Sequence, residues 1–221
     1  RFSADAAHEL RTPLAALKVQ AQVALRAQAA DHRQHALAQV IAGVDRMTHL
    51  VEQLLTLARV DPANQVSAPP LDPAGIIDAI CEELLPQAQR QSQSLAVEAA
   101  PGCQVVITAA WLQIAVRNLV DNALRYAGPG ARIEVRLVRS GTDCAIQVAD
   151  NGPGVAPALR AQLSARFVRG EEEGESEGCG LGLSIVTRIA ALSHAQLELG
   201  DGLPRADGGH GFAATLRFHA A

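Results

Sequence analysis

His8-Glu9-Leu10-Arg11-Thr12-Pro13-Leu14 lies in a run where small or apolar residues recur at Ala7, Leu10, Leu14, Leu17, Ala21 and Ala24, in alternating steps of three and four. The alternation returns at Leu37, Val40, Val44, Met47, Val51, Leu54 and Ala58. This spacing gathers the apolar residues on one stripe of a helix. Residues 3–59 therefore read as two helices that break near Ala29-Ala30-Asp31, with Asp31 able to cap the second. An antiparallel helical hairpin of this size leaves one apolar face uncovered, and a second copy would cover it as a dimeric four-helix bundle. A coiled-coil spacer without chemistry has the same period.

His8 argues against a spacer. It follows the seam position Ala7 by one residue, so its ring is expected at the bundle edge, in solvent, where a phosphoryl acceptor has to be. Glu9 can take or orient the proton of one imidazole nitrogen and leave the lone pair of the other free to attack. Pro13 has no N–H to give to the carbonyl of Glu9, so the helix is expected to bend just after the histidine.

Asp61-Pro62, then Asn64 to Pro73 with prolines at 69, 70 and 73, ends the helical pattern. Two domains follow from this break: 1–61, a linker at 62–73, and 74–221. The second domain mixes helices, at about 74–91, 109–126 and 180–194, with strands at about 95–100, 104–108, 131–139, 142–149, 196–200 and 212–218. Ile133-Glu134-Val135-Arg136-Leu137 alternates apolar and polar residues, so one sheet face is buried and the other wet. The fold class is α+β: a helical hairpin, then helices layered on one side of a mixed sheet as an α/β sandwich.

Three constellations in this second domain suit a nucleotide. Asn118, Asn122 and Arg125 fall at i, i+4 and i+7 on the helix after Thr108, hence on one stripe, separate from the apolar face of Leu112, Ala115, Leu119 and Ala123. Amide oxygens suit magnesium, which prefers hard oxygen ligands and bridges phosphates. Asn122 is the expected ligand; Arg125 would face the phosphates and Tyr126 border the nucleotide. Asp150-Asn151-Gly152-Pro153-Gly154 follows an apolar strand. A buried carboxylate there can accept from an exocyclic amine, which prefers adenine to guanine, although an ordinary turn has the same pattern. Gly178-Cys179-Gly180-Leu181-Gly182-Leu183 opens a helix whose first amides can receive phosphate oxygens. No Gly-Lys-Ser/Thr follows, so it is not a P-loop. Glu171 to Glu177 before it is acidic and reads as a solvated loop able to act as a lid.

Composition narrows the classes. A formal net charge of −4, from 19 basic and 23 acidic residues, offers no field for nucleic acid. Cysteines at 81, 103, 144 and 179 are scattered, without a CxxC pair or zinc spacing, and read as reduced thiols of a cytoplasmic chain. No apolar run approaches the roughly 20 residues of a membrane span.

Taken in order, FSADAAHELRTPLAAL, NLVDNALRY, VADNGPGV, ARFVRG and GCGLGLSIV resemble the H, N, first glycine, F (in part) and second glycine boxes of bacterial two-component sensor histidine kinases, along nearly the whole chain. The resemblance implies a dimerisation and phosphotransfer domain followed by an ATP-binding domain of the histidine kinase, Hsp90 and gyrase type. It implies phosphorylation at His8 with Glu9 as acid/base neighbour, and Thr12 as a polar residue orienting water for dephosphorylation of the partner. Asn122 would hold Mg2+ with Asn118 in support, Asp150 would contact adenine, and Gly152 and Gly154 would shape that wall. Gly178, Gly180 and Gly182, with Leu181 between the last two, would flank the phosphates of ATP, with Arg166 and Arg169 near the lid. Ser164 and Ala165 depart from the F box, and His194-Ala195-Gln196 replaces a common His-Gly-Gly.

The expected reaction is transfer from magnesium ATP to His8 and relay to an aspartate of a response-regulator receiver domain, with the linker letting the second domain swing. An ATPase or chaperone of the same fold would not need His8, and a dimerising scaffold would not bind ATP. The chain begins only seven residues before His8, so a longer inner-membrane receptor is expected, its membrane segments upstream and this part cytoplasmic.

Overall fold

A computed structural model describes residues 2–27, 29–59, 68–141, 143–163 and 182–219. The chain divides into two compact units, 1–58 and 59–221.

The first unit holds α1 (Phe2–Arg26) and α2 (Ala30–Arg59), close to the expected helices. α1 continues through Pro13 as one helix. In α2, Arg33 N donates to Ala29 O, so Asp31 stands in the first turn and is not the cap, a correction to the expectation. A carboxylate there still faces the positive end of the helix. In a single chain part of the apolar series is covered and part is exposed. Ala24 and Ala36 are 6% and 2% exposed, and Leu17, Ala21, Val40 and Met47 are half-buried. Leu14, Leu37, Val44 and Val51 point out, together with Ile41 and Leu55.

The second unit is built on a five-stranded sheet of order β2-β4-β5-β7-β6. Its strands are β2 (Ser94–Glu98), β4 (Arg132–Ser140), β5 (Asp143–Asp150), β6 (Ala195–Pro204) and β7 (His210–Phe218). β2 runs parallel to β4 with Leu95 opposite Ile133, and every other pair is antiparallel. Helices α3 (Ala74–Arg90), α4 (Ala109–Tyr126) and α6 (Gly182–Leu192) cover it: α3 lies on β2, α4 on β4 and β5, and α6 on β6, with α4 touching both other helices. Ile133, Val135 and Leu137 are buried as the alternation requires. On the wet face Arg132 and Arg136 pair with Glu134, and Arg136 also reaches Glu98.

Two elements escape a sequence reading. β1 (Pro70–Leu71) pairs with β3 (Val105–Val106) as a two-residue ladder inside the proline-rich stretch, too short to show a period. α5 (Pro157–Leu163) is a seven-residue helix after the glycine turn.

Gln93, 6% exposed, donates Nε2 at 2.8 Å to the carbonyls of both Leu124 and Gly128. It thereby satisfies carbonyls that the end of α4 would otherwise leave unpaired, and holds that end against β2. Cys81, Cys103 and Cys144 are buried free thiols. Cys103 and Cys144, distant in sequence, are hydrogen-bonded neighbours in space; burial first, then this contact, pushes the Cys103 thiol up to about 12. Cys179 lies outside the described residues. Among those residues no helix is long and apolar enough to cross a membrane.

Candidate functional site

α4 is capped by Thr108, whose backbone is extended and whose Oγ1 accepts from Trp111 N at 3.3 Å. From there Leu112, Ala115, Val116, Leu119, Val120, Ala123 and Leu124 turn one face into the core. The complementary stripe carries Asn118, Asn122 and Arg125. Asn118 donates one Nδ2 hydrogen to Ile114 O at 2.8 Å, one turn back, while its Oδ1 turns toward Gly182.

That oxygen and the side chain of Asn122 converge on the first residue of α6. A Cβ built on Gly182 would stand 3.0 Å from Asn122 Oδ1 and 3.3 Å from Asn118 Oδ1. Two hard amide oxygens thus meet at a helix N-terminus in a gap that a methyl group would fill. This donor set fits a magnesium ion bridging phosphate oxygens, and the neighbouring helix end favours the phosphates themselves.

Asp150 ends β5, 4% exposed. Its Oδ1 accepts from Gly152 N at 2.8 Å and from Phe212 N at 3.2 Å. Burial raises its pKa above the usual 3.8, and the two amides draw it partly back. Asp150, Asn122, Leu119, Ala123, Val148, Leu183, Phe212 and Ala214 line one small cavity, so the Asp150 carboxylate and the Asn122 amide open on the same space.

Backbones crowd this carboxylate. Gly152 packs against Ala127, where a Cβ would lie 2.5 Å from its Cα. Gly154 has φ +74° and presses on His210 O. Gly202 and Gly211 also pass directly against the carbonyl oxygen of Asp150, and any side chain on either would collide with it. Gly202, Gly211 and Phe212 were not among the expected site residues. Only the pairing of β7 with β5 brings 211 and 212 beside 150, and no local spacing signals that.

Asn118, Asn122, Asp150, Gly152, Gly154 and Gly182 are gathered at one place. Arg125 and Tyr126 sit in the last turn of α4, with Tyr126 43% exposed. His8, Glu9 and Thr12 lie in α1, but their side chains, like Arg166, Arg169, Gly178, Gly180 and Leu181 altogether, lie outside the described residues.

Comparison with known proteins adds the following. Residues 107–221 match the family described as histidine kinase-, DNA gyrase B- and HSP90-like ATPase, and residues 1–63 match the His kinase A phospho-acceptor domain. The chain is 42% identical over 230 residues to the sensor protein QseC of Salmonella typhi, covering 99% of this chain and 47% of that protein. It is 40% identical over 206 residues to the sensor protein kinase PmrB of Pseudomonas aeruginosa, covering 92% and 43%. Among solved structures, a mycobacterial sensor histidine kinase, MprB, superposes with a TM-score of 0.61 at 29% identity, covering 68% of this chain and 97% of that one. The chain spans about half the length of the curated relatives it matches.

Proposed function

This chain belongs to the sensor histidine kinases, with a phosphoacceptor segment joined to an ATP-binding domain of the kinase, gyrase and Hsp90 type, and we propose on that premise that it moves the γ-phosphate of ATP to His8 and on to an aspartate of a response-regulator receiver domain. The observation that carries the reading is that Asn122, which meets Gly182 at the start of α6 together with Asn118, also lines a cavity with Asp150 and Leu183.

The chemistry balances with residues of this chain. A ring nitrogen of His8 attacks the γ-phosphorus in line, the bond to the β–γ bridging oxygen breaks, and ADP leaves. Glu9 takes the proton lost from the imidazole. Asp150, with Oδ1 held by two amides, offers Oδ2 to the exocyclic amine of adenine. Leu119, Leu183 and Phe212 exclude water from the base. Asn122, with Asn118 beside it, would hold magnesium, which would supply positive charge to neutralise the phosphates. Gly178, Gly180, Leu181 and Gly182 would wrap the phosphates with backbone amides, with Arg166 and Arg169 beyond them and Arg125 and Tyr126 at the end of α4.

Residues 1–61 are the dimerisation and phosphotransfer part, 62–73 the linker and 74–221 the nucleotide part. Leu37, Ile41, Val44, Val51 and Leu55 form a stripe in steps of four, three, seven and four that stays exposed in a single chain. A second copy covers it, giving a homodimer. With relatives about twice as long, the chain is the cytoplasmic portion of an inner-membrane receptor.

Incubation with γ-labelled ATP and magnesium tests the reading. We expect label that survives base and is lost in acid, as a phosphoramidate requires, and at least a hundredfold less of it in Asn122→Ala. Label in Asn122→Ala at the wild-type rate would remove the asparagine pair from the mechanism. Thr12, one helical turn beyond His8, orients water for dephosphorylation of the regulator. Thr12→Ala is expected to slow loss of phosphate from a phosphorylated receiver domain tenfold or more while still transferring to it, and an unchanged loss rate would refute that role.

A further inference from the structure

The end of the β6–β7 hairpin meets the glycine loop that follows Asp150 at three points. Arg205, in the turn between the strands, donates Nη1 to Pro153 O at 2.9 Å and pairs through Nη2 with Asp207 at 2.8 Å. Gly154 lies against the backbone of His210 and Gly211. On the other side, Arg160 of α5 donates Nε to Val155 O at 2.9 Å and Nη2 to the carboxylate of Asp201. The side chain of Arg160 is 16% exposed against 66% for Asp201, so the guanidinium is the embedded partner. Asp201 stands where β6 shifts register, next to Gly202, whose backbone runs against the carbonyls of Asp150 and Phe212.

We propose that Arg160 and Arg205 are positioning residues for the nucleotide, fixing the loop from Asp150 to Val155 by fastening two of its carbonyls to the β6–β7 hairpin. The proposal rests on Asp150 as the adenine contact. A loop with glycines at 152 and 154 has many accessible conformations, and only one holds Gly152 N and Phe212 N together on Asp150. Fastening the carbonyls of Pro153 and Val155 removes the others before the nucleotide arrives, so binding does not have to order the loop. Arginine suits the task because its planar fork serves a carbonyl and a carboxylate at once, which a lysine ammonium on a flexible stem does less well. Neither residue reaches the cavity lined by Asp150 and Asn122, so both act through the loop.

Titration of the whole chain with ADP and magnesium, together with autophosphorylation over a range of ATP concentrations, tests this. Arg160→Gln and Arg205→Gln are each expected to raise Kd for ADP and KM for ATP three- to tenfold, with the rate at saturating ATP falling less than twofold. Asp201→Asn should raise both by less, and should add nothing in the Arg160→Gln background, because its effect passes through that guanidinium. If Arg160→Gln does not fold, Arg160→Lys and Arg205→Gln carry the test. Asp150→Ala is measured alongside. Loss of ADP in Asp150→Ala with unchanged affinity in the arginine variants would overturn the proposal and leave the site standing. Wild-type affinity in Asp150→Ala would overturn both. A fall in saturated rate with KM unchanged would also overturn the positioning role.

Discussion

Asp150→Asn is expected to bind ADP at least about a hundredfold more weakly, a loss of about 3 kcal/mol, while melting no lower than the parent at pH 7. The two halves have separate causes. Asparagine keeps an Oδ1 that Gly152 N and Phe212 N can approach, so the packing at the end of β5 survives. In place of the second carboxylate oxygen it presents an NH2 group to the amine of adenine, two donors facing one another in a buried site.

Stability moves the other way. Burial holds the pKa of Asp150 above its unfolded value of 3.8 despite the two amides. A raised folded-state pKa means that the folded chain favours the protonated form. The contribution of this group is then full below 3.8 and lost as pH rises through the folded value, so the ionised carboxylate weakens the fold at neutrality. An amide has no charge to desolvate. The variant should therefore lose that part of the fall in melting temperature between acid and neutral pH, while Asp121, raised for the same first reason, keeps its own share. Melting curves at pH 3.5 and pH 7, with an ADP titration at pH 7, decide it. ADP binding within threefold of the parent would end the adenine assignment, and a melting point several degrees lower at pH 7 would end the electrostatic account.

The second large effect belongs to the other unit. His8→Ala should leave no acid-labile phosphate, at least a thousandfold below the parent, and should bind ADP with unchanged affinity. The nucleophile is lost with the ring, and no neighbour in Glu9-Leu10-Arg11-Thr12 supplies a nitrogen of comparable basicity with a free lone pair at neutral pH. Among the described residues the cavity draws its walls from α4, β5, α6 and β7. Mass spectrometry of the labelled parent should place the phosphate on the peptide containing His8. Label retained by the variant, or found on a serine or aspartate, would move the acceptor elsewhere.

Much of this was legible where the chemistry is local. Asn118 and Asn122 are four residues apart on a helix whose apolar face is filled by other residues, so their shared stripe follows from the period. The alternation from Ile133 to Leu137 gives the two faces of β4 equally directly. Three features were out of reach for three reasons. Gly202 and Gly211 matter because β6 and β7 return beside Asp150, a meeting of strands more than 50 residues apart. β1 and α5 are too short for any period to emerge. Asp31 has the right chemistry for a cap, yet Ala29 provides the first accepting carbonyl, and a two-residue offset lies below what residue type can resolve.

β7 lies between β5 and β6, although it is the last strand in the chain. Cys144 pairs with Phe218 and Ala149 with Ala213, so β5 stays open along one edge until residues more than 60 positions later have docked. Closing such distant pairs is slow compared with forming α1 and α2, whose contacts are close in sequence. Phe212 N, one of the two amides on Asp150, arrives with this strand. If Asp150 is the adenine contact proposed above, a chain whose β7 has not yet docked would lack one of the two amides that hold it.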